Sequence, residues 1–481
     1  MTITPKTSPN QWAVILRFFL VALTIFTISV FCYSFHYSLL IPFLILFLSL
    51  YLVITEKADF KLLTQLGLLL FIISIGTHLM DRVYTNVSFF YIPVASAGML
   101  TILLFNNLRL SFLMAIACSL MVSLILHLDF SVMMIFLLGS LSGVYFLKDA
   151  RTRGKVITAG LLVSLTHLVC LLLTQLDWHV FFTKDFIRHQ LDPLLLNGII
   201  CSGVVLGALK IFEMLFGVVT NFSLLELADF NHPLLKRMIL EAPGTYHHSL
   251  VVSNLSEAAA DSIGANALLT RVGGYYHDIG KMIKPEYFTE NQLMGHNKHD
   301  DIEPSMSRLV ILNHVTEGVE LARRYKLNQS IIDFIPQHHG TSVIHYFYQR
   351  SLEEAEDGEV IDEGNFRYPG PKPQTRETAI TMLADSVEGA TRALQEPNLN
   401  SIEDTVKKVI NNRFIDGQLN DCNLTLKDIE QISSTFVRVL TAMYHTRIKY
   451  PEKKNGNSNR KSSEKNPAQQ QNSDDDNKNN S

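Results

Sequence analysis

Paired cysteines, strand-like alternation and, up to Leu147, charge are what this sequence lacks. The five cysteines are Cys32, Cys118, Cys170, Cys201 and Cys422, and none stands in a C-x-x-C spacing. That excludes a disulfide framework and a cysteine zinc site. Four of them sit in apolar runs, where a thiol acts as a small buried residue. No run in the second half alternates with period two, so a sheet is not expected there and helices are. Charged residues are sparse to Leu147 and dense from Asn221, so the formal net charge of -4 describes neither half. The charge balance points to no partner, and no nucleic acid polymer is expected.

What is present first is oil. From Trp12 to Val219 the chain breaks into apolar runs of membrane-crossing length. They fall at approximately 12–33, 36–54, 62–80, 89–105, 110–126, 130–147, 156–174 and 194–217. This count of eight becomes seven or nine if the first two runs, divided only by Tyr33 to Tyr37, are parsed differently. The first run lacks a small-residue cleavage site and is followed at once by another, so it reads as a retained helix. Lys148, Arg151, Arg153 and Lys155 make the strongest basic cluster between runs, which predicts a cytoplasmic loop. Eight crossings then put the N-terminus and everything after Val219 on the cytoplasmic side. The polar residues His78, His167 and Asn197 do not line up as a transport path. Lys210 and Glu213 read as snorkelling residues at the end of the last run.

The predicted organisation is a polytopic membrane domain over 1–220, a coupling segment at 221–233, an all-helical globule over 234–450 and a disordered polar tail at 451–481. In the coupling segment Ser223 and Glu226 have capping-box spacing. Ala258 to Asp261, Ile302 to Lys326, Thr378 to Leu394 and Leu424 to Ile448 carry helical patterns. Glu353 to Glu363 is acidic, and the proline-rich Arg367 to Pro373 reads as an ordered loop near the site.

The chemistry gathers around Gly274 to Lys281, where His277 and Asp278 stand side by side. Helical neighbours point about 100° apart, so both bend to one target only near a helix end, and a metal ion supplies that target. The same half holds His247-His248, His314, His338-His339 and Asp385. Taken one by one these histidines are ordinary; taken together, five imidazoles and two carboxylates are enough ligands for two divalent metal ions. Iron or manganese suits such a set, with zinc and cobalt also open. A two-metal site keeps its ions about 3.5 to 4 Å apart and needs a bridge, for which Asp278 is the natural candidate. A bridging water would be the nucleophile, attacking in line while the cations neutralise a phosphate oxygen. Lys281, about one turn on, reads either as a phosphate contact or as a solvated helix residue.

The order H…HD…H…HH…D resembles the HD-domain phosphohydrolases. Glu241-Ala-Pro-Gly-Thr-Tyr-His-His-Ser, Tyr275-Tyr-His-Asp-Ile-Gly-Lys, Gln337-His-His-Gly-Thr and Arg367-Tyr-Pro-Gly-Pro-Lys-Pro-Gln-Thr sharpen this. They are similar to the seven-transmembrane HD family of PgpH-type cyclic di-AMP phosphodiesterases. The resemblance implies an all-α fold, with a polytopic membrane domain followed by a cytoplasmic HD-type phosphohydrolase domain. It also implies hydrolysis of cyclic di-AMP to linear pApA by a metal-bridging hydroxide. The metal ligands it implies are His248, His277, Asp278, His314, His338, His339 and Asp385, with His247 as fallback for His248. The family's ligand stands just before the serine. His277, Asp278 and Lys281 carry the expected catalytic roles. Expected partners are the cyclic dinucleotide and membrane lipid; a homo-oligomer is compatible with the reading, and the regulatory ligand is unidentified. Another nucleotide substrate (cyclic di-GMP, a nucleoside triphosphate or an alarmone) and a non-catalytic nucleotide receptor stay open. Family members carry a large extracytoplasmic domain after the first span, where this sequence has only Tyr33 to Tyr37. The expectation is an enzyme either constitutive or regulated through its membrane block.

Overall fold

A computed structural model describes residues 40–55, 60–83, 87–174, 183–292, 297–355 and 360–444. The predicted span 12–33, the turn at Tyr33 to Tyr37 and the polar tail lie outside them. Among the described residues every regular element is helical, with one isolated antiparallel bridge between Val343 and Arg367.

The apolar half folds as α1 (Leu40–Thr55), α2 (Phe60–Val83), α3 (Ala95–Phe105), α4 (Leu108–Leu126), α5 (Phe130–Phe146), α6 (Arg153–Thr174) and α7 (Asp192–Phe216). These lie on the last seven predicted runs. Four segments, Phe60–Val83, Leu108–Leu126, Arg153–Thr174 and Lys184–Phe216, are individually long and apolar enough to cross a membrane. The count of eight therefore includes three shorter apolar helices and the run outside the described residues. Helices are the required solution in hydrocarbon, where a peptide group has no water to bond. Outer faces stay apolar, with Phe47, Leu165, Ile211 and Met214 exposed.

The fourth run is not one helix. A short turn, Phe89–Tyr91, precedes Pro93, which has no N–H to give, and α3 starts only at Ala95. Asn197 of α7 closes the gap, its Nδ2 donating to the carbonyls of Phe90 at 2.7 Å and Ile92 at 2.8 Å. Helices α6 and α7 meet backbone to backbone at Gly160 and Gly198. A Cβ on Gly198 would lie 1.8 Å from the Gly160 carbonyl oxygen. Small residues let membrane helices approach this closely, and hydroxyls then bond across. Ser164 Oγ donates to Leu195 O at 2.6 Å and Ser202 Oγ to Val156 O at 2.9 Å.

Two expectations are corrected where α7 ends. Glu213 does not snorkel; its side chain is only 6% exposed, while Lys210 alone reaches outward. The Glu213 carboxylate accepts hydrogen bonds from Thr220 Oγ1 and, at 2.8 Å, from Ser223 Oγ, which resolves its burial within the chain. The capping box at Ser223 and Glu226 is also displaced. Helix α8 (Asn221–Leu227) is capped by Thr220, because Ser223 is engaged by Glu213 and Glu226 by Arg153 at 2.9 Å. That last pair puts the basic loop and the start of the second half on the same side of the helical block.

The second half contains α9 (Pro233–Glu241), α10 (Pro243–Ser262), α11 (Ala267–Tyr276), α12 (Pro304–Arg324), α13 (His345–Glu354), α14 (Arg376–Arg392), α15 (Leu399–Ile415) and α16 (Leu426–Tyr444). Helix α15 was not anticipated. One core joins Leu234, Leu235, Met238, Val272, Tyr276, Ile279 and Ile331, and it includes Leu224 of α8. A second gathers Val252, Leu255, Ile380, Leu383, Val406 and Phe436 from α10, α14, α15 and α16. Helix α10 thus serves both cores, and α11 and α14 are laid against it.

Gly198→Val should cost roughly 1–3 kcal/mol, the usual range for overpacking. Gly203→Ala, with nothing within 4 Å of the added carbon, should stay within about 0.5 kcal/mol. Thermal unfolding of the detergent-solubilised chain checks this, and equal effects from the two changes would count against the close crossing.

Candidate metal centre

The His-Asp pair is formed by the end of α11. His277 is the C-cap, still right-handed at φ -58° and ψ -32°, and Asp278 turns out of the helix at φ -111° and ψ 16°. The two side chains converge, with His277 Nε2 3.3 Å from Asp278 Oδ2. Gly280 brings this turn against α12. A Cβ there would stand 1.8 Å from the carbonyl oxygen of His314, so only glycine allows the approach.

Four other elements deliver the remaining predicted residues. His248 is buried on α10, whereas His247 is exposed on its outer face. His314 comes from the middle of α12, His338 and His339 follow the short helical turn Phe334–Gln337, and Asp385 lies on α14. Two groups result, each with donor atoms within 4.8 Å of one another: His248, His277, Asp278 and Asp385; and Asp278, His314, His338 and His339. Asp278 belongs to both. Its Oδ2 faces His248 Nε2 at 3.5 Å and His277, while its Oδ1 faces His314 Nε2 at 3.5 Å and His338 Nε2 at 3.4 Å.

Hydrogen bonds fix which nitrogen faces inward. The Nδ1 atoms of His277 and His338 donate to the carbonyls of Gly274 at 2.8 Å and Phe334 at 3.1 Å, and that of His314 to Ile311. Each ring then turns its Nε2 to the centre. Those three Nε2 atoms have no hydrogen-bond partner, and neither Asp278 oxygen receives a hydrogen bond of good geometry. At about 1–3 kcal/mol apiece, the three Nε2 atoms and Asp278 Oδ1, which no ammonium faces, would cost roughly 4–12 kcal/mol, comparable to the ~5–15 kcal/mol that keeps a domain folded. Cations satisfy them, and the donor set fits two divalent ions.

Electrostatics agree. Burial lowers the His314 imidazole to about 4, keeping its lone pair free at neutral pH. At Asp278 burial opposes ionisation, but Lys281 and His277 outweigh it and hold the carboxyl well below its usual range. At Asp385 burial is overcome likewise, by His248 and His277. Burial would lower His277, yet Asp278 and Asp385 raise it to about 10, so a cation entering there displaces a proton.

Lys281 is not a solvated residue. Its ammonium is 2.7 Å from Asp278 Oδ2 and 2.9 Å from Glu290 Oε1, and its side chain is 13% exposed. Sequence reasoning missed Glu290, which arrives on a loop with no local signal. It also missed Glu388, whose Oε2 lies 2.6 Å from His248 Nδ1. The signal there was spacing, since Glu388 follows Asp385 by three residues and shares its helix face. The loop around Tyr368 is ordered beside the site as expected, with the Tyr368 ring stacked on His339 at 4.1 Å between centroids.

An all-helical domain in which a helix-ending His-Asp pair shares its carboxylate between two histidine clusters defines an HD-type domain, here carried behind a multi-pass membrane block. Residues 11–220 match the family described as 7TM receptor with intracellular HD hydrolase, and residues 245–390 match the HD domain. The chain belongs to this seven-transmembrane HD family. It is 38% identical over 399 residues to the cyclic-di-AMP phosphodiesterase PgpH of Bacillus subtilis, covering 82% of this chain and 55% of that protein. The PgpH of Listeria monocytogenes is 39% identical over 388 residues, covering 80% and 53%. The chain spans about half the length of these curated relatives. A crystal structure of the L. monocytogenes PgpH HD domain in complex with cyclic-di-AMP is 47% identical over 45% of this chain and all of its own, with a TM-score of 0.43.

Glu388→Gln removes the charge that orients His248. Metal affinity should fall about 10- to 100-fold at one of two sites, as when a carboxylate behind a ligating histidine is lost. Metal content after dialysis against graded chelator checks this; unchanged retention of both ions would exclude the role.

Proposed function

We propose that this chain is a membrane-bound, metal-dependent phosphodiesterase that hydrolyses cyclic di-AMP to linear pApA. The observation that carries the reading is the pair of ligand clusters sharing Asp278. A phosphodiester needs a nucleophile on one side and charge neutralisation at a phosphate oxygen, and a two-cation site serves both needs. The naming of the PgpH relatives supports cyclic di-AMP as the substrate. We further propose iron or manganese as the metal, since imidazole with carboxylate suits either.

The protein's own part is positioning. His248, His277 and Asp385 would hold one ion, His314, His338 and His339 the other, and Asp278 both. When bound, the ions polarise a phosphate oxygen and lower the pKa of water. Backbone carbonyls lock three of the rings, so little reorganisation is needed on loading. Lys281 keeps Asp278 ionised and Glu290 keeps Lys281 in place, a structural use of the lysine in preference to the phosphate contact first expected. Substrate enters at the Asp385 and His339 edge, because the other ligand side chains are at most 4% exposed while Asp385 is 15% exposed. The basic loop Lys148 to Lys155 supports a cytoplasmic catalytic domain, and the Arg153–Glu226 pair keeps the two on one side.

The test is turnover of cyclic di-AMP beside cyclic di-GMP by the full chain in detergent, loaded anaerobically with iron or manganese. Release of pApA is expected from wild type. Asp278→Ala should lose activity and both ions, and His314→Ala mainly one ion. Full turnover with both ions retained in Asp278→Ala would overturn the site; metal binding without cleavage of any cyclic dinucleotide would overturn the substrate.

A further inference from the structure

A cleft of about 640 Å³ borders α14, lined by residues including Ser386, Asn412, Arg413, Arg367 and Asp416, none of them a metal ligand. It starts one residue past Asp385. Two arginines face it, and their situations differ. Arg367 is neutralised, with Glu363 Oε1 at 2.7 Å and Asp416 Oδ1 at 3.0 Å, and it also donates to the Thr341 carbonyl at 2.8 Å. Arg413, from α15, donates through Nε to Ser386 Oγ at 3.1 Å. Among the described residues no carboxylate forms an ion pair with it. Burial disfavours its charge enough to lower its guanidinium below the usual value. Asp385 and Asp416 favour its charge from beyond ion-pair distance but do not offset the burial, so an anion brought into contact with it would be bound favourably. Its planar fork matches two phosphate oxygens.

We propose that Arg413 binds the phosphate of the substrate that is not being cut. The inference rests on the cyclic dinucleotide reading above. Such a substrate carries two phosphates, and opening the ring to a linear dinucleotide hydrolyses one and leaves the other intact. The metal centre engages the first. The second then needs a cation outside the centre, on its open side, and Arg413 stands there. Ser386 fixes the guanidinium's angle from the same helix that carries Asp385, so the two phosphate positions are set by one rigid element. Arg413 is on this account a specificity residue for dinucleotides over simple diesters.

The test compares wild-type, Arg413→Met and Arg413→Lys full-length protein on cyclic di-AMP and on bis(p-nitrophenyl) phosphate, which has one phosphate only. Arg413→Met should lower kcat/KM for cyclic di-AMP by about ten- to hundred-fold, mostly through KM, the range of one hydrogen-bonded charge contact. Turnover of the simple diester should not change, and Arg413→Lys should recover part of the loss. Fluorescence anisotropy with labelled cyclic di-AMP on metal-stripped protein should show the same weakening, with the metals out of the comparison. Equal losses on both substrates would make Arg413 a merely structural residue and overturn the proposal, as would unchanged dinucleotide binding and KM in Arg413→Met. Wild-type protein that cuts the simple diester but no cyclic dinucleotide would instead sink the substrate reading, and this inference with it.

Discussion

Asp278 is asked to face two ways at once, and the second half of the chain is built to let it. A carboxylate has two oxygens, and here each looks at a different histidine group. For that to hold, α11 must stop at Tyr276, Asp278 must turn out of the helix directly after the still-helical His277, and α12 must come close enough to present His314. Gly280 satisfies the last demand by allowing backbone against backbone. The cost is a cluster of ring nitrogens and carboxylate oxygens facing one another out of reach of the surface, a configuration that cations resolve. Fold and chemistry are therefore one problem in this domain. The buried ammonium of Lys281 fits the same logic, since it balances carboxylate charge permanently.

The membrane half answers a different constraint with similar means. With no solvent to complete its hydrogen bonds, the backbone break at Pro93 is mended by the side chain of Asn197 on a neighbouring helix. The buried Glu213 is likewise served by hydroxyls from the segment that follows its helix. Asn197 and Glu213 are thus spent on repairing local faults.

How much of this could be read in the sequence depends on the range of the interaction. Helices with strong local periodicity, such as Pro304–Arg324 and Arg376–Arg392, were legible to within a few residues. The seven proposed ligands were legible as residue types in an order, and the structure brings all seven together. His248 was preferred to His247 because the resemblance puts the ligand just before the serine, and burial of His248 alone agrees. Three kinds of detail were out of reach. The cap at Thr220 was hidden because two longer-range partners, Glu213 and Arg153, take the residues that local spacing favoured. Glu290 meets Lys281 by way of a loop whose path no pattern encodes. Arg413 lies on a helix that was not anticipated, and only the packing of α15 on α14 puts it on Ser386, the residue after Asp385.

Tyr276 connects these halves. Its ring is fully buried in the domain core, and its hydroxyl donates to the Leu227 carbonyl at the end of α8 at 2.8 Å. It is also the residue immediately before His277. The short helix after the last membrane segment is thus fastened one peptide away from the ligand cluster, with no slack element between. A domain cut free downstream of α8 would keep all its ligands yet lose both the acceptor of this phenol and the Leu224 cover over its core, so where the chain is severed decides how the isolated domain seats His277.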